Sequence, residues 1–229
     1  MNMPRGYDND PITSQLLLDL QFQEGTGTLT QDWAKPRHTG PTLTGPPAWT
    51  DVYDLSVLDF NPATPDYVLI TQANSVDLDF TAGDFTVLAW IEPDALGNRN
   101  IFCRGATLTD GWQFWLNATG GMVLTTSQAG VDQHTIGDNL VAINTWVLVA
   151  AVRSGAVVRI YINGADSTLT PDTHIDPLTA ARGLYIGTTD LAAAGWYDGA
   201  MWRPRIWGRA LEAAEMKTVF ERERDKFSI

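Results

Sequence analysis

Cysteine, lysine, histidine and long apolar runs are all scarce in this chain. One cysteine, Cys103, stands among 229 residues. That excludes an intrachain disulfide, and within NIFCRGA it reads as a small apolar strand residue rather than a reactive thiol. The three histidines, His38, His134 and His174, are far apart and match no Cys/His metal spacing. Fifteen Lys and Arg face 27 Asp and Glu, a formal net charge of −12. A uniformly acidic chain repels phosphate backbones, which argues against a nucleic-acid partner. No window approaches the ~18 apolar residues of a membrane helix, which argues against membrane insertion. The first fifteen residues, MNMPRGYDNDPITSQ, have neither the basic start nor the apolar stretch of a secretory signal. They read as a polar N-terminal arm (1–15) ahead of a single domain (16–229), and the protein is expected to be soluble.

What is present is a succession of short apolar runs punctuated by turn residues. SQLLLDLQF (14–22) is broken by GTGT, and residues 33–50, rich in Pro and Gly, read as an irregular loop. DYVLI (66–70), DFTVLAWI (84–91), NIFCRG (100–105), GWQFWLN (111–117) and GMVLTTS (121–127) follow. TWVLVAAVR (145–153), VVRIYING (157–164) and GLYIGTT (183–189) complete the series. Strands at a spacing of roughly 8–12 residues, with no long helical stretch between them, predict an all-β sandwich or barrel. Gly155 and the pair Asn163-Gly164 supply hairpin turns, the latter of type I′. Asn117 to Gly121 forms a longer turn. One helix is predicted, over 211–227. Met216, Val219 and Phe220 share its apolar stripe, and Glu221, Arg222, Glu223 and Arg224 are expected to face solvent.

The nine tryptophans pose the functional question. Strand alternation sorts Trp202, Pro204 and Ile206 onto one wholly apolar face, expected in the core, and Met201, Arg203, Arg205 and Trp207 onto the other. In GWQFWLN, Trp112, Phe114 and Leu116 share one face, while Gln113, Trp115 and Asn117 share the opposite one. An indole flanked by amides suits a pyranose, which offers an apolar C–H face and a rim of hydroxyls. Gln113, Trp115, Asn117 and Trp207 are therefore the candidate ligand-binding residues.

The order of these segments resembles the laminin-G-like, concanavalin A-like jelly rolls. LLLDLQFQEGTGTLTQDWAKPRHTG is similar to their opening strand and loop, and DFTVLAWIEPDAL to their central strand. NTWVLVAAVRSGAVVRIYINGADS is similar to the Trp-led hairpin, and LYIGTT with DGAMWRPRIWGRALEAAEM to the closing strands. The resemblance implies a two-sheet antiparallel β-sandwich with one short C-terminal helix. It also implies a structural Ca²⁺, for which Glu24, Asp32 and Asp198 are the candidates. The acidic pair that such proteins carry after the closing Gly is replaced here by Met201-Trp202-Arg203-Pro204, and the Ser that opens their helix by Glu212, with Glu215 three residues on. Related glucanases use two Glu on one strand face. The nearest counterpart is Asp77 and Asp79 of VDLDF, with no Glu partner, so no catalytic residues are assigned. The resulting expectation is a non-catalytic display or binding protein on a particle surface, such as a tailed-phage decoration or adhesion protein, that contacts partner subunits and glycans. A free-standing lectin is the alternative, ahead of a glycan hydrolase or lyase.

Overall fold

Residues 10–229 are described by a computed structural model. They form sixteen strands: β1 (Leu16–Asp19), β2 (Thr42–Thr44), β3 (Ala48–Val52), β4 (Leu55–Phe60), β5 (Tyr67–Ile70), β6 (Phe85–Pro93), β7 (Arg99–Arg104), β8 (Trp112–Leu116), β9 (Met122–Gln128), β10 (Val131–Gly137), β11 (Val147–Ser154), β12 (Val157–Ile162), β13 (Ala165–Asp166), β14 (Thr168–Thr170), β15 (Leu184–Ile186) and β16 (Gly199–Trp207). Among the described residues there is one α-helix, α1 (Ala213–Glu223). No helix is long and apolar enough to cross a membrane.

The strands build two antiparallel sheets of eight. Sheet I runs β13-β12-β11-β6-β16-β4-β3, with β1 also on β16, and sheet II runs β14-β10-β9-β8-β7-β15-β5-β2. The expected sandwich and its C-terminal helix are therefore both present. The predicted turns hold as well. Asn163 and Gly164 both have positive φ (50° and 74°), and Gly155 has φ 56°. Within 33–50, expected to be irregular throughout, the chain instead adds β2 and the start of β3. Their short, Thr-rich sequences carry little apolar signal. Of the expected polar arm, residues 1–9 lie outside the described residues. Residues 10–15 pack onto the body: Trp207 Nε1 donates to Ile12 O at 2.7 Å and Arg209 Nε to Ser14 O at 2.9 Å.

Two apolar layers result. Between the sheets, Phe85, Val87, Ala89 and Ile91 of β6 meet Phe102, Trp112, Phe114 and Leu124 of sheet II. Phe85 stacks on Phe80 at 4.7 Å and tilts against Trp112 at 5.3 Å. The other face of β6, Leu88 and Trp90, belongs to a second layer beneath α1 with Trp146, Trp202, Trp207, Met216 and Val219. Phe227 sits at its centre, with ring centroids 4.3 Å from Trp146, 4.5 Å from Trp90 and 5.6 Å from Trp202. Each buried indole removes roughly 150–250 Å² from water, about 4–6 kcal/mol at ~25 cal/mol/Å². Four of the nine tryptophans thus weld the helix to sheet I, while Trp112 fills the space between the sheets and Trp49 packs against its margin.

The expected face assignment of β16 needs correction. Met201 and Ile206 point into the inter-sheet core, whereas Trp202 and Trp207 lie together under α1. The alternation slips because the pairing with β6 shifts register between Trp202 and Arg205, where Arg203 takes a left-handed φ of 52°. A bulge inserts an extra residue and flips the parity of everything after it. The helix needs a matching correction. Glu221 and Arg222 face solvent, but Glu223 is buried. It accepts from Trp90 Nε1 (2.9 Å), Arg203 Nη1 (2.7 Å) and Arg205 Nη2 (2.6 Å). Arg203 also grips buried Asp19 of β1 through Nε and Nη2, both at 3.0 Å. With the outer side of sheet I packed under α1 and residues 10–15, the other broad surface of the sandwich is the outer face of sheet II.

Candidate functional site

The pairing registers align the outward residues of sheet II in rows. Asn100, Trp115, Val123 and Ile136 form one across β7, β8, β9 and β10. Cys103, Gln113, Thr125 and His134 form the next, and Tyr185 of β15 and Leu69 of β5 extend it. Trp115 is half-buried at the centre, and His134 is exposed.

A relay fixes the central indole. Trp115 Nε1 donates to Thr125 Oγ1 at 2.9 Å, and Thr125 Oγ1 lies 2.9 Å from His134 Nδ1. Indole N–H is donor only, so the threonine oxygen accepts from it and makes its second hydrogen bond with the His134 ring. The relay thus ends on an exposed imidazole. Thr125 itself is 2% exposed, so the relay works out of competition with water.

Two loops border the face. Residues 105–111 are tied to it by Gln113 Nε2 donating to Thr107 Oγ1 at 3.0 Å. On the other side, Tyr67 meets Tyr185 and Trp196 at centroid distances of 5.8 and 6.2 Å. Arg99 Nη1 donates to Trp196 O at 2.9 Å. In the loop leading to Trp196, Leu191 and Ala192 both take left-handed φ (55° and 52°), a conformation that costs ordinary side chains roughly 1–3 kcal/mol each. Asn100, buried beside Trp115, leaves its Oδ1 without a hydrogen-bond partner among the described residues. Cys103, on the same face, is fully buried, and burial pushes its thiol well above the usual range. The face presents the half-buried Trp115 ring and the exposed His134 imidazole, with Gln113, Asn100 and Thr125 buried beside them. Its nearby carboxylate, Asp132, is engaged by Ser127 Oγ and Leu108 N. Such a set suits adsorption of a polar ligand with apolar C–H faces.

A laminin-G family model, described as the concanavalin A-like lectin/glucanases superfamily, matches residues 63–217. The chain belongs to the concanavalin A-like lectin/glucanases superfamily. No curated protein matches it. Similar solved structures include the binding domain of Paraclostridial Mosquitocidal Protein 1, with a TM-score of 0.72 and 15% identity over 91% of this chain and 52% of that one. A botulinum neurotoxin type C structure, concerned with cell entry through two ganglioside molecules, has a TM-score of 0.66 and 14% identity over 92% and 52%. The binding domain of botulinum neurotoxin DC in complex with rat synaptotagmin II has a TM-score of 0.68 and 14% identity over 92% and 52%. At these identities the likeness is one of fold, and the chain spans about half the length of those structures.

Within this concanavalin A-like frame the candidate residues separate. Gln113 and Trp115 share the outer face of sheet II, Gln113 buried at 6% exposure and Trp115 half-buried. Asn117 ends the strand, and its Oδ1 accepts from Thr119 N, Thr119 Oγ1 and Gly121 N, shaping the turn. Trp207 is 1% exposed in the apolar layer beneath α1, which corrects its expected place on one ligand surface with Gln113, Trp115 and Asn117. Glu24 accepts from Gln31 N (2.7 Å) and Thr30 Oγ1, and Asp32 from the backbone N–H groups of Asp19, Ala34 and His38. These two line one cavity, whereas Asp198 precedes β16 and pairs with Arg99 at 3.6 Å. Among the described residues no three His, Cys, Asp or Glu groups converge to hold a metal ion. Asp77 and Asp79 lie in and just after a 3-10 turn, Val76–Leu78, rather than on one strand face. Asp77 pairs with His38 Nε2 at 2.9 Å, and Asp79 accepts from Ala180 N at 3.0 Å. Thr125, His134, Asn100, Tyr67, Tyr185 and Trp196 were not singled out from sequence. Parity along GMVLTTS would have placed Thr125 opposite Gln113, but which strands adjoin β8 is a property of topology.

Proposed function

We propose that this chain is a non-catalytic binding module that receives a glycan on the outer face of sheet II, around Trp115. The observation that carries the reading is the Trp115–Thr125–His134 relay. It holds an aromatic plane in one orientation on the outer face of sheet II, with an exposed imidazole beside it. Preorganised aromatic and polar groups lower the ordering cost of binding. Membership of a lectin-like superfamily supports the reading, as do fold relatives that engage gangliosides and synaptotagmin. The candidate acids Asp77 and Asp79 are committed to structural hydrogen bonds, which supports binding without hydrolysis.

We further propose that the module is displayed on a particle such as a tailed-phage virion, with protein subunits as its other partners. This setting rests on the acidic chain and the polar residues at its start. Glycan-array screening with the wild type and Trp115→Ala tests the binding reading: retained signal in the variant rejects it. Mass spectrometry of purified particles tests the setting.

A further inference from the structure

Helix α1 and the second half of β16 enclose a cavity of about 250 Å³. Ile12, Trp207 and Val219 give it an apolar wall. Arg203, Arg205, Arg222 and Lys226 line the rest, together with Asp10 and Glu223. Four of the fifteen cations of a chain with net charge −12 therefore meet at one small cavity.

The carboxylates beside them are already engaged. Glu223 accepts from Trp90, Arg203 and Arg205, Asp19 holds Arg203, and Asp10 pairs with Arg222. Lys226 has no carboxylate within ion-pair distance among the described residues, and its ammonium rests 5.7 Å from the Trp202 ring centroid. Arg205 Nε is buried with no hydrogen-bond partner among the described residues, and the residue is 4% exposed. An unfilled guanidinium N–H in a desolvated place is costly, and an oxyanion is the group that satisfies it best. The apolar wall asks for a ligand with a carbon body. The volume lies below the roughly 300–1,000 Å³ of drug-sized sites, which restricts that body to about one sugar ring.

We propose that this cavity is a second binding site, separate from the sheet II face, for a small organic carboxylate. The carboxylate lies against Lys226, Arg222 and Arg205 Nε, and the carbon body lies against Trp207 and Val219.

Paired titrations of the full chain with D-glucuronate and with D-glucose, at equal ionic strength, isolate the contribution of the charge. Glucuronate is expected to give a saturable calorimetric signal and glucose none. Lys226→Ala and Arg222→Gln are each expected to weaken glucuronate by about tenfold, as loss of one charge-assisted contact does. Lys217→Ala, on α1 but outside the cavity, is the control and is expected to bind as the wild type does. Circular dichroism on each variant checks that it is folded, and both key side chains are exposed enough to be replaced. Equal responses to the two sugars overturn the proposal. So does an affinity unchanged in both cavity variants, or glucuronate binding lost in Trp115→Ala but kept in Lys226→Ala.

Discussion

The indole N–H of Trp90 donates to Glu223 at 2.9 Å, joining the centre of β6 to a helix 133 residues later. Among the described residues Glu223 is the acceptor of that indole, and it also holds Arg203 and Arg205. Removing it strands Arg205 and a buried N–H and leaves Arg203 on Asp19. Glu223→Ala is expected to cost about 3–5 kcal/mol, the range for breaking a buried ion pair. Its exposed neighbour is expected to be near neutral, with Glu221→Ala within about 0.5 kcal/mol. Urea denaturation of the two variants checks this, and similar midpoints would contradict it.

His38 predicts a loss of stability on the alkaline side. Burial alone would lower its pKa, but hydrogen bonds with Asp32 (2.7 Å) and Asp77 (2.9 Å) outweigh it and hold the imidazolium up to about 9. A folded pKa above the unfolded ~6.5 means stability that is complete below pH ~6.5 and lost as pH rises toward 9. The loss is at most about 3 kcal/mol, and less because Asp77 is partly exposed to screening solvent. His38→Gln is expected to flatten this limb of the stability profile. A wild-type profile that is level between pH 6.5 and 9 would refute the assignment.

His174 gives the opposite limb. Its two nitrogens meet Thr126 Oγ1 at 2.8 Å and Thr135 Oγ1 at 2.9 Å, and burial lowers its pKa to about 4. The unfolded chain binds the proton more readily, so stability is complete above pH ~6.5 and drains away toward pH 4, by at most about 3 kcal/mol. The imidazole C2 proton shift followed by NMR is expected to titrate near 4. A midpoint near 6.5 would mean that the ring is not sealed between the sheets' edge residues.

The sandwich, the strong strands, both glycine hairpins and the C-terminal helix were legible because apolar runs and turn residues state them locally. What stayed illegible depends on contacts between distant segments. Glu223 looks like any solvated charge in ERER until Trp90 and two arginines from β16 are brought against it. Pro204, which has no N–H to donate, points to an edge or a bulge in β16, and the register does shift between Trp202 and Arg205; what the residues do not announce is the left-handed Arg203 and the change of parity after it. The Asp19 and Glu223 carboxylates, from β1 and α1, hold that arginine. β10 escaped because its exposed positions are polar or isolated, and it reads as a loop until β9 pairs with it. At the site, Gln113 and Trp115 followed from alternation alone, whereas Thr125 and His134 required the order of strands.

Asp59 predicts a stabilising substitution. Burial, then Asp94, Asp198 and Asp66, push its carboxyl above the usual range, and Glu92 is raised by burial and by Asp94 and Asp59. A raised carboxyl favours the folded state as the medium becomes more acidic, and its charge opposes folding at neutral pH. Asp59→Asn is expected to raise the melting temperature at pH 7 by about 2 °C, in keeping with a fraction of a kcal/mol in a chain of this size. The gain is expected to shrink as pH is lowered. A variant less stable than wild type at pH 7 would show that the carboxylate is held by favourable contacts instead.

Thr125 separates a merely packed Trp115 from an oriented one. Thr125→Val keeps the shape of the side chain but leaves the indole N–H and His134 Nδ1 without their shared partner. The stability cost is expected to be about 1–3 kcal/mol, as for a buried polar group stripped of its acceptor. If the relay aims the indole at a glycan, the same variant also weakens binding, by roughly tenfold for about 1.4 kcal/mol of lost orientation. Thr125→Ser retains the hydroxyl and is expected to restore most of both. The informative result is the pairing of readouts. A Thr125→Val protein that melts lower yet binds a glycan-array ligand as tightly as wild type would mean that Thr125 supports the sheet only, and that the orientation of Trp115 contributes nothing to recognition.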